Sequence, residues 1–216
     1  MYYFWDKYYS MSVLKQIESI LKKKRPGEIL FIIDFLEISD YDTVRKSLQR
    51  LTEKGILIRL SKGIYYYPKN DKLLGLVYPS AEQIGNAIAK RDKARIIPTG
   101  VYAMYRLGLT TQVPMNVVYL TDGSARKVQI GKQTIVFKKT SPKNLSAKNQ
   151  LSNLIIQGLR AIGKENITQS HILKIKKIIF DSNEVNFLRN DLLTAPVWIQ
   201  KIVLGILKEI GNEQLA

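Results

Sequence analysis

Basic and amide side chains are grouped between residues 43 and 62, at positions that suit contact with a nucleic acid. Arg45, Lys46 and Gln49 recur at helical spacing and fall on one side of a helix. In the major groove of DNA, arginine pairs with guanine and glutamine pairs with adenine. The spacing therefore predicts a helix that reads bases. The candidate DNA-binding residues are Thr43, Arg45, Lys46, Gln49, Arg50, Arg59 and Lys62.

One amphipathic helix must position most of these side chains. Ser39 or Asp40 can cap its amino end, and Gly55 ends it after Lys54. The face opposite the candidates is expected to pack against a core, and it carries Val44, Ser47, Leu48 and Leu51.

A β-hairpin is predicted directly after this helix. The apolar period changes to two over residues 56–61, a turn follows at Ser61–Gly63, and a second strand returns over Ile64–Tyr67. Arg59 then lies along the hairpin and Lys62 lies at its tip. A basic hairpin beside a reading helix can reach DNA phosphates.

The segments before the reading helix complete a recognisable order. Ser12–Lys24 is predicted as a helix that Pro26 stops, and Glu28–Glu37 as a short buried strand leading into a short helix. Helix, strand, helix, helix and hairpin is the order of a winged helix-turn-helix. We interpret the basic run Lys22–Arg25 as a solvated helix end, with a phosphate clamp as the alternative.

Each candidate has an expected role in such a domain. Base contacts are expected from Thr43, Arg45, Lys46 and Gln49, phosphate contacts from Arg50 and Lys62, and support of the hairpin from Arg59. The alternative is an ordinary amphipathic helix whose charged face is only solvated, beside a hairpin that only closes a small domain.

The composition of the whole chain favours a polyanionic partner. The 216 residues carry a formal net charge of +16, and an apolar fraction of 45% is enough to fill a core. Membrane surfaces are also anionic, so the charge does not select nucleic acid by itself. No apolar run reaches the roughly 18 residues of a membrane span, and residues 1–10 lack the features of a signal peptide. We therefore expect a cytoplasmic protein that does not bind membranes.

The rest of the chain predicts a second domain of the α+β class. We expect an extension at residues 1–10, the winged helix-turn-helix at 11–72 and a carboxy-terminal domain at 73–216, with a connector over residues 69–79. The second domain is predicted to place helices around a small antiparallel sheet. Its predicted elements are helices at 80–93 and 99–109, strands at 116–120, 127–130 and 134–137, and helices at 147–162, 168–180, 184–192 and 196–210.

Catalytic and metal-binding patterns are sparse in this sequence. The chain has no cysteine and one histidine, His171, so zinc sites and serine-histidine relays lack their usual residues. No glycine-rich phosphate loop occurs. A Mg²⁺-dependent nuclease is the catalytic alternative, because Asp122 precedes a strand that ends in Lys138 and Lys139. We expect no enzyme activity, no metal and no cofactor, and interpret Asp122 as the first residue of a turn.

Three segments of the chain carry a resemblance to a known family. They are residues 43–68, residues 96–139, which include the run VVYLT, and residues 154–168 together with 195–203. From Met11 onward the chain resembles the AbiEi-type antitoxins of type IV toxin-antitoxin (abortive infection) systems. Residues 1–10 depart from that pattern.

The resemblance implies two tasks for this chain. The amino-terminal winged helix-turn-helix would bind inverted repeats in its own promoter as a repressor. The carboxy-terminal domain would neutralise a partner toxin that resembles nucleotidyltransferases, without stable contact between the two proteins. A third possibility is a nucleic-acid-binding or protein-binding module of another kind, in which the basic second half holds an acidic partner or tRNA.

Overall fold

The computed structural model describes residues 11–182 and 184–213, and it has the mixed α and β composition that the sequence predicts. Contacts within the chain divide it into two units, Met1–Ala87 and Ile88–Ala216. The extension predicted at residues 1–10 lies outside the described residues. In the described ranges no helix has the length and apolar character needed to cross a membrane.

The elements of the first unit are, in chain order, helix α1 (Val13–Leu21), strand β1 (Ile29–Phe31), a 3-10 helix (Ile32–Phe35), helix α2 (Tyr41–Glu53), and strands β2 (Ile58–Ser61), β3 (Ile64–Tyr66), β4 (Lys69–Asp71) and β5 (Gly75–Val77). The first three strands form an antiparallel sheet in the order β1-β3-β2. Tyr65 of β3 pairs with Leu30 on one side and with Arg59 on the other. The predicted order of helix, strand, short helix, helix and hairpin is therefore present.

The hydrophobic core of the first unit joins both helices to this sheet. Ile17 of α1, Phe35 of the 3-10 helix and Leu48 of α2 are completely buried in one cluster. Burial of a leucine of this kind stabilises a fold by roughly 1.5–3 kcal/mol. The predicted inner face of α2 is confirmed, since its buried residues are Val44, Ser47, Leu48 and Leu51.

The connector predicted over residues 69–79 contains regular structure, because β4 and β5 pair there as an antiparallel hairpin. The Tyr66 hydroxyl donates a hydrogen bond to the Val77 carbonyl at 2.6 Å, and this bond ties the hairpin to β3. The Asp71 carboxylate accepts from the amides of Leu73 and Leu74 at the turn, and these bonds lower the Asp71 pKa. Strands of three residues are too short for a period of two to be visible in the sequence.

Helix α3 (Ala81–Arg91) contains the point of division between the units. The Ser80 hydroxyl accepts from the Gln83 amide at 3.2 Å, so the predicted amino-terminal cap is confirmed. The elements that follow are strand β6 (Ile96–Pro98), helix α4 (Val101–Arg106), strands β7 (Asn116–Thr121), β8 (Arg126–Ile130) and β9 (Gln133–Lys139), and helices α5 (Gln150–Ile162), α6 (Gln169–Ser182), α7 (Val185–Asp191) and α8 (Val197–Glu213).

The sheet of the second unit is mixed, so the predicted purely antiparallel sheet is wrong. Its strand order is β6-β7-β9-β8, and β7 pairs with β9 in parallel from Asn116 opposite Thr134 to Thr121 opposite Lys139. The predicted β8–β9 hairpin is present. Its second strand, β9, lies between β7 and β8, antiparallel to β8 and parallel to β7.

The helix predicted over residues 99–109 is shorter than expected at both ends, because α4 spans Val101–Arg106. Strand β6 pairs with β7, and the Thr99 amide donates to the Val118 carbonyl at 3.0 Å. The extended pairing of β6 with β7 therefore continues to Thr99. Gly100 then takes a positive φ of 64°, and α4 begins at Val101. Proline is tolerated on an edge strand, which fits Pro98 at the end of β6.

The core of the second unit is centred on α5. Residues 152–159 of this helix are all buried, and Leu154, Ile155, Ile156 and Leu159 among them belong to one hydrophobic cluster with residues of α4, α6, α7 and α8. The Asp191 carboxylate accepts from the amides of Lys148 and Asn149, both at 2.9 Å, and this fixes the segment that leads into α5. The four predicted carboxy-terminal helices are confirmed as α5 to α8.

Candidate nucleic-acid interface

The amino end of α2 is fixed by a side-chain cap. One oxygen of the Asp40 carboxylate accepts from the amides of Asp42 and Thr43, both at 3.0 Å. Hydrogen bonds from Thr43, and further bonds from Ser39 and Asp42, lower the pKa of Asp40 to about 2. The sequence allowed either Ser39 or Asp40 as the cap, and the structure shows that it is Asp40. It sets the first helical turn, which carries Thr43.

The carboxy end of α2 and the hairpin differ from the prediction in one detail. Gly55 takes a positive φ of 70° and ends the helix, as predicted. The strand expected from Ile56 begins at Ile58, because the amides of Ile56 and Leu57 both donate to the Leu51 carbonyl. Leu57 is therefore drawn into the core, with 1% of its surface exposed.

The hairpin turn places the basic residues of β2 beside α2. Gly63 has a positive φ of 73°, which permits a tight turn, and a register shift interrupts the pairing between Arg59 and Ser61. The Arg59 Nε donates to the Ser61 carbonyl at 3.4 Å. This long hydrogen bond holds the guanidinium next to the tip that carries Lys62.

A groove of about 400 Å³ lies between α2 and the hairpin. It brings together four of the seven predicted residues, namely Arg45, Gln49, Arg59 and Lys62. The remaining lining residues are Ile32, Tyr41, Thr52, Glu53, Gly63 and Tyr65. The other three predicted residues do not line this groove. Lys46 and Arg50 are exposed on α2, and Thr43 is partly exposed in its first turn.

Side chains of α2 itself orient Arg45 and Gln49 in the groove. The Arg45 Nε lies 3.3 Å from the Asp42 carboxylate, and the Gln49 Nε2 donates to the Glu53 carboxylate at 3.0 Å. Both partners are within one helical turn, where side chains three or four residues apart meet. The ends of Arg45 and Gln49 are thus held on the exposed side of the helix.

Sequence reasoning missed the two tyrosines of the groove. Tyr41 lies four residues before Arg45 and therefore on the same helical face. Tyr65 stands opposite Arg59 in the sheet and is 2% exposed. Burial raises the pKa of Tyr65, and the positive charge of Arg59 partly opposes this shift. The i,i+4 spacing was the available signal for Tyr41, whereas Tyr65 required the strand register.

The basic run Lys22–Arg25 is tied to the start of the sheet. The Lys24 ammonium lies 3.2 Å from the Glu28 carboxylate, which also accepts from the Arg25 amide at 3.0 Å. The bond from the Arg25 amide and the nearby Lys24 lower the pKa of Glu28 despite its partial burial. These contacts involve Lys24 and the Arg25 amide, whereas Lys22 and Lys23 are exposed at the end of α1.

The residues weighed for catalysis have structural contacts in the second unit. The Asp122 carboxylate accepts from the Arg95 amide at 2.8 Å, and the His171 Nδ1 accepts from the Thr168 amide at 3.3 Å. In the part of the chain that the structure describes, no group of three or more histidine or acidic side chains could hold a metal ion.

Comparisons with known proteins identify a family. Residues 16–187 match a family of unknown function, DUF6088. No curated protein matches the chain. Among solved structures, the chain is similar to the RV2827C protein from Mycobacterium tuberculosis, with 13% sequence identity, a TM-score of 0.47, and coverage of 93% of this chain and 78% of that chain. The matched residues make up most of the sequence, and the chain belongs to the family of unknown function DUF6088.

Proposed function

We propose that this protein binds duplex DNA through a winged helix-turn-helix formed by residues 11–72. In this proposal α2 enters the major groove and the β2–β3 hairpin is the wing. The observation that carries it is the groove in which Arg45, Gln49, Arg59 and Lys62 converge from two elements. An α-helix with arginine and glutamine on its exposed face has the width and the hydrogen-bonding groups that the major groove accepts.

The proposed contacts fall into two classes. Arg45 and Gln49 have hydrogen-bonding groups that suit base edges, on the side of α2 that lines the protein groove. Thr43 and Lys46 lie near them on the same helix. Lys62 at the hairpin tip and Arg50 on α2 supply positive charge for phosphates, and this charge raises affinity for any duplex.

The regulatory role is proposed on the family resemblance of residues 43–68, 96–139 and the late segments. In this role the protein is a cytoplasmic transcriptional repressor of its own promoter and an antitoxin. The partner is a toxin that resembles nucleotidyltransferases and is neutralised without stable contact. The net charge of +16 is compatible with repeated contact with nucleic acid.

Footprinting on the segment upstream of the coding sequence tests the DNA-binding proposal. The expected result is protection of inverted half-sites, since a two-fold arrangement of helices on DNA reads a palindrome. A cleavage ladder that stays unchanged even with the protein in large molar excess over the duplex contradicts the proposal.

Co-expression tests the antitoxin proposal separately. The product of the gene immediately downstream should arrest growth alone and not when this protein is present. An Arg45→Ala variant should lose promoter repression and keep this protection. Growth arrest that the wild-type protein does not relieve contradicts the antitoxin role and leaves the DNA-binding proposal to its own test.

A further inference from the structure

The groove contains an acidic side chain, Glu53, at the carboxy end of α2. Its carboxylate accepts the hydrogen bond from the Gln49 Nε2 at 3.0 Å. In the described ranges, no lysine or arginine forms an ion pair with Glu53. A negative charge in a groove that faces phosphates opposes binding of any duplex. The hydrogen bond with the Gln49 amide is thus the contact that Glu53 makes within this groove.

The Glu53 carboxylate orients the exposed Gln49 amide in the structure. A carboxylate has no hydrogen to donate, so only the NH₂ group of the amide can face it. One N–H is then used by Glu53. The Oε1 acceptor and the second N–H of Gln49 remain for an incoming base.

An acceptor and a donor on one amide match a single base in the major groove. Adenine presents the N6 amino donor and the N7 acceptor, which together take both groups of a glutamine. Guanine presents two acceptors, O6 and N7, and its O6 would meet the Oε1 of a fixed amide. An amide that is already oriented also loses less rotamer freedom on binding.

We propose that Glu53 is a positioning residue that sets Gln49 to recognise adenine in duplex DNA. This inference rests on the proposed DNA binding and specifies its base preference. Thr52 also lines the groove, and its hydroxyl donates to the Leu48 carbonyl at 2.9 Å. Glu53 acts through Gln49 and does not itself contact the adenine.

Binding to a duplex that carries a modified adenine tests the inference. The full-length protein first selects a preferred duplex from a random pool, and each adenine of that duplex is then replaced in turn by 7-deazaadenine. This base keeps Watson–Crick pairing and lacks the N7 acceptor. For the wild-type protein, replacement at one position should weaken binding by about fivefold, the effect of one lost hydrogen bond.

Three variants separate positioning from general stability, because each is scored by the ratio of its affinities for the two duplexes. Gln49→Ala should abolish the 7-deazaadenine effect at that position. Glu53→Ala should reduce it to less than about twofold. Glu53→Gln should restore it, because the amide oxygen of glutamine accepts the same hydrogen bond from Gln49. Both Glu53 variants should bind random duplex more tightly, since a negative charge is removed.

The outcomes distinguish failure of this inference from failure of the DNA-binding proposal on which it rests. Failure of the wild-type protein to select any duplex overturns DNA reading itself. Selection with no adenine position that responds to 7-deazaadenine overturns the role of Gln49. A fivefold effect that persists in Glu53→Ala, or that Glu53→Gln does not restore, overturns positioning by Glu53 while leaving DNA binding intact.

Discussion

Arg45 of α2 and Lys62 at the tip of the β2–β3 hairpin line the same groove, although they belong to different elements. The core beneath them is formed by Leu48, Leu57 and neighbouring apolar residues, which are nearly completely buried. Because packing of the apolar faces orients the polar ones, the two cations are directed to one surface. This surface suits the proposed arrangement, in which α2 contacts bases and the hairpin contacts phosphates.

Arg45→Ala should change sequence preference. The guanidinium can bond one guanine through two hydrogen bonds, so its removal should cost about 1–3 kcal/mol at one position of the binding site. Measuring affinity for single-substitution duplexes checks this. The matched control is Lys15→Ala, which removes a positive charge from an exposed residue of α1 outside the groove. A uniform loss on every duplex would assign Arg45 to phosphates instead.

Lys62→Ala should weaken binding to all duplexes alike. An ammonium at a hairpin tip acts on phosphates as a point charge, and loss of one phosphate contact should reduce the slope of log affinity against log salt by about one. A salt titration on preferred and scrambled duplexes measures this slope. An unchanged slope, or a loss confined to one sequence, is the contrary result.

The Asp40 cap should make the first unit sensitive to acid. The pKa of Asp40 is lowered from 3.8 to about 2 in the folded chain, so the ionised carboxylate stabilises the fold above pH 4. This stabilisation should be lost as the pH falls from about 4 to about 2. The stability difference between the wild-type protein and Asp40→Ala should therefore be constant at neutral pH and shrink over that range.

Denaturant midpoints at a series of pH values measure this difference. Asp40→Asn is the matched control, because asparagine also caps helices and does not titrate. A difference between Asp40→Ala and the wild-type protein that stays constant down to pH 2 would mean that the carboxylate charge has no part in the cap.

Asp191→Ala should destabilise the second unit. Asp191 is 8% exposed, and its carboxylate accepts from the amides of Lys148 and Asn149. Removing it leaves two donors without their acceptor, at a cost of about 2–4 kcal/mol. Chemical denaturation measures this cost against Asp181→Ala, a change at an exposed residue of α6. Equal midpoints for the two variants would exclude a structural role for Asp191.

Local patterns predicted the parts of the fold that depend on nearby residues. The spacing of Val44, Leu48 and Leu51 gave the inner face of α2, because a helix repeats every 3.6 residues. Gly55 marked the end of that helix through its positive φ. Helix and hairpin patterns also predicted four residues of the groove, because α2 and the hairpin are adjacent in the chain. These residues are Arg45, Gln49, Arg59 and Lys62.

Relations between distant segments could not be predicted in the same way. Parallel pairing of Val117 with Ile135 depends on which edge of β7 the later hairpin meets, and an apolar strand does not encode that edge. Tyr65 enters the groove through its register with Arg59, which a shift across the bulge would change. The β4–β5 hairpin could not be predicted from an alternating pattern, because each strand has only three residues.

Competition binding tests the central claim most directly. A labelled duplex from the segment upstream of the coding sequence is bound by the full-length protein and competed with the same unlabelled duplex or with a scrambled duplex of equal length and base composition. Specific protein–DNA complexes exceed non-specific ones by about a thousandfold or more in affinity, so the scrambled duplex should compete far more weakly. Equal competition by the two duplexes would contradict sequence reading by α2.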